Sequence, residues 1–279
     1  MFCGDGVNGA RGRNKFSAKQ AATPERSKWR RRFRFAIALL VMAAVVRRRP
    51  TRRELQVGAV IGLVLAAGYL TQTVGLTITS PGNAGLITGL FVVLTPLLNR
   101  LFGAPIHWWT WIATLISLTG LVLLTGGPSG MSLGDALVLA CAVLFALHIV
   151  LLGRWSPGTS SAPLAMVQMG MCAVLFSAGG TWSLRAPNTD VWFAIVVTGL
   201  FASAFGYFIQ TWAQAHISAN RTALILATEP AWALVAAIVL AGQRFGLAEA
   251  VGAGLLLAAI VGHELASLKF DPHVKPSSP

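Results

Sequence analysis

Uncharged polar residues recur in matched groups inside otherwise apolar sequence. Gly68-Tyr69-Leu70-Thr71-Gln72-Thr73 lies on Gly206-Tyr207-Phe208-Ile209-Gln210-Thr211 at a displacement of 138 positions. The register continues without a gap, so that Ser80 meets Ser218, Leu86-Ile87 meets Leu224-Ile225, and Gly85 and Gly89 meet Ala223 and Ala227. On a helix, Tyr69, Gln72, Thr73 and Ser80 share one broad face, and Tyr207, Gln210, Gln214 and Ser218 share another. Hydroxyls and amides of this kind can hydrogen-bond a polar solute. They can equally hold helices together, and the sequence alone leaves both readings open.

Few residues suit other chemistry. Glu229 is the one carboxylate deep in a strong apolar segment, and Pro230 behind it removes an amide donor and frees a carbonyl one turn back. Set in lipid, such a carboxylate is a candidate for a cationic solute or a coupling proton, or else it marks a helix break. His148 lies near the end of an apolar stretch, where it can satisfy a neighbouring carbonyl; Asp135 suits the positive end of a helix. His263-Glu264 closes the last apolar run and reads as structural. There is no His-Glu-x-x-His, no Gly-x-Ser-x-Gly and no paired aspartate in an apolar run, so an intramembrane enzyme is not expected. Cys3, Cys141 and Cys172 are too scattered for a disulfide framework or a zinc site, and no cofactor or metal is implied.

The elements that must position these groups follow from composition. The chain is 55% hydrophobic and only 11% charged, with a mean hydropathy of +0.67, so its solvent is lipid. A bilayer core about 30 Å thick asks for roughly 20 apolar helical residues per crossing. Nine segments approach that: Phe33 to Val46, Leu55 to Thr77, Asn83 to Leu101, Trp108 to Leu124, Leu133 to Leu152, Leu164 to Trp182, Val191 to Ala213, Arg221 to Ala241 and Leu247 to Ala266. Between them stand Arg47 to Arg53 with Pro50, Ser80-Pro81-Gly82, Gly126-Gly127-Pro128, Ser156-Pro157-Gly158 and Pro187-Asn188, links short enough to suggest that successive helices pack side by side. Trp108, Trp109, Trp111, Trp155, Trp182 and Trp192 fall at segment ends, as in an interfacial belt. Small residues four apart, Gly58 with Gly62, Gly85 with Gly89, Ala223 with Ala227 and Gly254 with Ala258, would let backbones approach closely.

The expected fold is therefore all-α and integral to the membrane. The matched groups lie on the second and seventh segments, and an odd number of intervening crossings inverts the second copy, an architecture recurrent in secondary transporters. Moving Leu133 to Leu152 back by 138 lands before about residue 15, where Asn8, Arg11, Arg13 and Lys15 replace an apolar helix, so the first half is expected to lack its opening span. A mistaken start and a natural variant both account for this. Residues 1–32 read as a basic, disordered arm, 33–126 as a first repeat, 133–266 as a second of five helices, and 267–279 as a polar tail.

If the Arg47 to Arg53 loop is cytoplasmic, Arg100, Arg154, Arg221, Lys269 and Lys275 are too, and only Arg185 and Arg244 fall outside. Phe33 to Val46, with only Phe35 to Val46 uninterrupted, is the weakest span. The net charge of +13 concentrates in the amino-terminal arm, where Arg26 to Arg34 could meet nucleic acid or anionic lipid; solvated flanks of membrane helices carry the same pattern, and no nucleic-acid partner is expected.

From Phe33 to Glu264 the chain resembles the EamA-type transporters of the drug/metabolite transporter superfamily. Arg34-Phe35-Ala36, Gly68-Tyr69-Leu70-Thr71-Gln72-Thr73-Val74-Gly75-Leu76, Ile87-Thr88-Gly89-Leu90-Phe91-Val92-Val93-Leu94-Thr95-Pro96-Leu97 and Thr228-Glu229-Pro230 carry the resemblance. It implies ten helices as two inverted halves, a central cavity, and movement of a small solute, often outward, across the bacterial cytoplasmic membrane. The cavity candidates are Tyr69, Gln72, Thr73, Thr88, Tyr207, Gln210, Gln214 and Glu229. A truncated, non-transporting membrane protein is the alternative.

Overall fold

The computed structural model describes residues 24–79, 81–125, 132–178, 189–229, 231–232, 235 and 246–270. Among them every regular element is helical: α1 (Pro24–Val45), α2 (Arg52–Gly75), α3 (Pro81–Gly89), α4 (Phe91–Leu101), α5 (Trp108–Thr125), α6 (Leu133–Trp155), α7 (Ser161–Ala178), α8 (Thr189–Val197), a π-helical turn pair (Thr198–Phe205), α9 (Gly206–Gln214), α10 (Ala219–Leu226) and α11 (Leu247–Phe270). Five helical spans are long and apolar enough to cross a bilayer: Arg52–Gly75, Ala84–Leu101, Leu133–Trp155, Ser161–Ala178 and Thr189–Gln214. Trp108–Leu123 and Leu247–His263 are shorter apolar stretches. Helix α1 begins at Pro24, inside the stretch read as an arm, and its charge keeps it off that roll; Ser80 lies outside the described residues.

The displacement of 138 persists in the elements themselves. Moved by that amount, α2 becomes 190–213 and falls on α8, the π segment and α9; α3 becomes 219–227 and falls on α10; α5 becomes 246–263 and falls on α11. Helices α1 and α7 correspond in the same way, and they pack against each other, as do α5 and α11. One core gathers Phe35, Leu65, Met169, Cys172, Phe176 and Ala204 from α1, α2, α7 and the π segment. A second gathers Val92, Ala113, Leu224, Ala227 and Leu256 from α4, α5, α10 and α11, with α6 bridging the two.

Short links do not pair successive helices here. Helices α6 and α7 are joined by five residues, yet each lies along α2 more closely than along the other. Glycine permits that double contact. A Cβ on Gly62 would stand 2.8 Å from Met171 Cβ and 2.9 Å from Gln168 Cα, and one on Gly75 would stand 2.8 Å from the Gly134 carbonyl oxygen. With no hydrophobic drive between helices in lipid, such close approach supplies the packing. The expected pair Gly254 and Ala258 does not behave this way: both are exposed, with nothing within 4 Å of the Gly254 Cβ position. Helix α11 instead meets Gly120 through the Gly252 carbonyl oxygen, 2.7 Å from where a Cβ would be.

Two carboxylates fix helix starts. Thr51 and Glu54 form a capping box on α2; Glu54 also takes Arg48 Nη2 at 2.6 Å and the Ser160 amide at 3.0 Å, tying that end to the start of α7. Ser132 and Asp135 cap α6, and Thr79 donates to Asp135, so the Asp135 expectation holds and extends to the end of α2.

Gly62→Val should force the α2 backbone away from α7, at a cost of about 1–3 kcal/mol from overpacking, read as a lower Tm and earlier aggregation in detergent. Gly254→Ala should leave both unchanged.

Candidate functional site

The site grows from two helices that carry the same string in two places. On α2, Tyr69 and Thr73 are one turn apart; on α9, Tyr207 and Thr211 are too. Thr73 Oγ1 donates to the Tyr69 carbonyl at 2.7 Å, and Thr211 Oγ1 donates to the Tyr207 carbonyl at 2.6 Å. Each threonine thereby satisfies its own hydroxyl within its helix, where lipid could not. The tyrosines reach across instead. Their hydroxyls hydrogen-bond to each other at 2.7 Å, joining residues 138 positions apart.

Aromatic rings surround that bond. Phe35 and Phe145 stand edge-on to Tyr69, with centroids 5.3 and 5.4 Å away, and the His148 imidazole stands edge-on to Tyr207 at 5.9 Å. His148 has a definite partner, contrary to its reading as a lone group near a carbonyl. Its Nε2 lies 3.0 Å from Gln168 Oε1, and the Gln168 amide donates to Thr211 Oγ1 at 3.3 Å. A buried polar line thus runs from α6 through α7 to α9, each member satisfied by the next.

The other expected residues divide. Gln210 donates to Gln214 Oε1 at 3.2 Å, and Gln214, only 1% exposed, donates to the Ile149 carbonyl at 2.7 Å. These two glutamines fasten α9 to α6. Gln72 and Thr88 are half-buried and make no side-chain hydrogen bond among the described residues. Glu229 is exposed rather than buried: α10 ends at Leu226, the chain turns at residues 227–228, and Glu229 stands where helix resumes.

Two arginines that were not among the cavity candidates also reach the tyrosine centre, although Arg34 was named in a stretch that carries the resemblance. Arg34 Nε donates to Ser203 Oγ at 2.6 Å, and its guanidinium stands 5.5 Å from the Tyr69 ring centroid. Arg31 donates to Thr73 Oγ1 and lies over the Phe176 ring at 5.1 Å. Both were read as part of a basic flank. The available signal was their three-residue spacing ahead of Phe35, which puts both on one helix face.

The model of the EamA-like transporter family matches residues 31–126 and again residues 132–263. The chain belongs to the EamA-like transporter family. It is similar to an uncharacterized transporter of Archaeoglobus fulgidus, 30% identical over 207 residues that span 73% of this chain and 67% of the relative. A protein of known crystal structure superposes with a TM-score of 0.73 over 91% of this chain and 92% of its own, at 17% identity, a likeness of fold. This EamA-like chain is accordingly a multi-pass membrane protein of a transporter family. Its tyrosine pair belongs to a polar centre that the matched stretches share.

Tyr69→Phe and Tyr207→Phe should each cost roughly 0.5–1.5 kcal/mol, the worth of a hydrogen bond between helices. The double variant should cost less than their sum, since it strands no hydroxyl. Unfolding of the reconstituted chain in graded denaturing detergent measures the cycle.

Proposed function

We propose that this chain moves a small solute outward across the cytoplasmic membrane by alternating access, through a cavity centred on Tyr69 and Tyr207. The observation that carries the reading is the hydrogen bond between those hydroxyls. A contact between repeat-equivalent residues is what a pseudo-two-fold axis in the membrane plane produces, and secondary transporters place their sites at that axis. The halves are residues 33–126 and 133–266, inverted relative to each other. Arg47 to Arg53, Arg100, Arg154, Arg221 and the carboxyl terminus face the cytoplasm, following the positive-inside rule.

In this reading the tyrosine bond is one state of the switch. Rocking one half against the other parts the hydroxyls and exposes them to solute from one side, and closing re-forms the bond. Glu229, an exposed carboxylate where helix resumes beyond α10, takes the coupling proton. Gln72 and Thr88, half-buried and without side-chain hydrogen bonds among the described residues, have donors and acceptors free for the solute. Gln210 and Gln214 hold the wall in place.

Expression of the full chain in a bacterial host stripped of its own efflux pumps, with a panel of labelled acidic, neutral and basic solutes, tests this. At least one solute should accumulate less than in cells without the chain. Glu229→Gln should flatten the pH dependence of that difference. Unaltered accumulation of the whole panel, with the chain verified in the membrane, contradicts the reading.

A further inference from the structure

Helix α1 brings two guanidinium groups to the tyrosine centre, and the described residues give them only neutral partners. Arg31 meets the Thr73 hydroxyl and the Phe176 ring; Arg34 meets the Ser203 hydroxyl and the rings of Phe35 and Tyr69. The single ion pair among the described residues is Arg48 with Glu54, at the far end of α1 and the start of α2. Glu229 makes no ion pair with either arginine. Arg31 Nε is buried without a hydrogen-bond partner.

A guanidinium carries five N–H donors and does not give up its proton in a protein. Two of them among apolar rings in a membrane bundle are costly unless an anion or water meets the donors left over. Phe35 and Phe176 stack at 5.5 Å and 11° in the buried core beneath the arginines, so the donors that the protein leaves over can be met only from the open side of the half-buried guanidinium groups. Carboxylate and phosphate oxygens match the guanidinium fork in geometry as well as charge.

We propose that Arg31 and Arg34 form an oxyanion subsite, and that the solute is an organic anion whose carboxylate or phosphate docks there. The inference deepens the transporter reading and rests on it for the word solute. The arginines hold the head of the ligand, and the tyrosine hydroxyls stand beside it. An anionic lipid headgroup offers the same oxyanion chemistry, so the test separates the two sources.

The probe is benzoate, with benzamide as its neutral counterpart and benzylammonium as its cationic one. Binding is measured calorimetrically on the full chain in nanodiscs of phosphatidylcholine alone. Benzoate should bind saturably and benzamide about tenfold more weakly or worse. Arg34→Gln and Arg31→Gln should each weaken benzoate by about tenfold, while Arg34→Lys keeps part of the affinity. Arg34→Glu should turn the preference toward benzylammonium, a reversal that misfolding cannot give. Equal binding of benzoate and benzamide, or variants that fold and bind benzoate as the parent does, overturns the subsite. If phosphatidylglycerol displaces benzoate and copurifies only while Arg34 is present, the oxyanion belongs to lipid and the solute assignment is overturned. Flux in proteoliposomes is read separately. Benzoate bound but no solute moved contradicts the transporter reading alone; a neutral solute moved equally by the parent and the arginine variants contradicts the subsite alone.

Discussion

Lipid offers no hydrogen bonds, and most of this structure answers that constraint. Backbone groups are satisfied within helices, and side-chain hydroxyls fold back on carbonyls of the preceding turn, as at Thr73, Thr95, Thr119, Thr198 and Thr211. Several polar side chains reach another helix instead. Tyr69 finds Tyr207, His148 finds Gln168, and Gln214 finds the Ile149 carbonyl. Those cross-helix bonds gather among α2, α6, α7 and α9, while large apolar side chains such as Leu63, Leu70, Phe193, Phe201 and Trp212 face outward. The centre is polar because the outside cannot be.

The two copies have diverged around that shared centre. Helix α2 meets its neighbours through Gly58, Gly62, Gly68 and Gly75. At the equivalent positions stand Val196, Leu200, Gly206 and Ala213, and the middle of that copy is a π segment. Within it, Gly199 lets the α1 backbone come close, its Cβ position lying 3.0 Å from the Arg34 carbonyl oxygen, and Ser203 receives the Arg34 guanidinium. π-helical turns gather at functional positions. Here one carries the hydroxyl that orients the arginine proposed to read the solute.

How much of this was legible depended on whether the signal was periodic or a matter of contact. Helical class, the span limits and the repeat follow from apolar runs and the displaced string, and the limits hold to within a few residues for α2, α5 and α11. The break between α3 and α4 at Leu90 and the π segment were not legible, since neither interrupts the apolar run. Tyr69 and Tyr207 were singled out by type and spacing, and they meet. Gln214 was singled out on the same grounds and turned out to fasten α9 to α6, because a face shared along a helix does not say which neighbour fills it. Glu229 was expected to be buried from its apolar surroundings, but it stands exposed where helix resumes beyond α10. Arg31 and Arg34 were hidden by their neighbours: in a run of basic residues, nothing in composition marks the two that turn inward. The packing order was illegible too, since short links suggested sequential pairs, whereas α6 and α7 each lie more closely along glycine-lined α2.

Inversion of the two copies is the claim on which the cavity, the tyrosine contact and the switch all rest. Thr51, which caps α2, and Thr189, which opens α8, are repeat equivalents, both exposed. In a chain with Cys3, Cys141 and Cys172 replaced by serine, Thr51→Cys and Thr189→Cys can be labelled one at a time with a membrane-impermeant maleimide, on intact and on permeabilised cells. The account predicts that Thr189→Cys reacts in intact cells and Thr51→Cys only after permeabilisation. Labelling of both from the same side would contradict it.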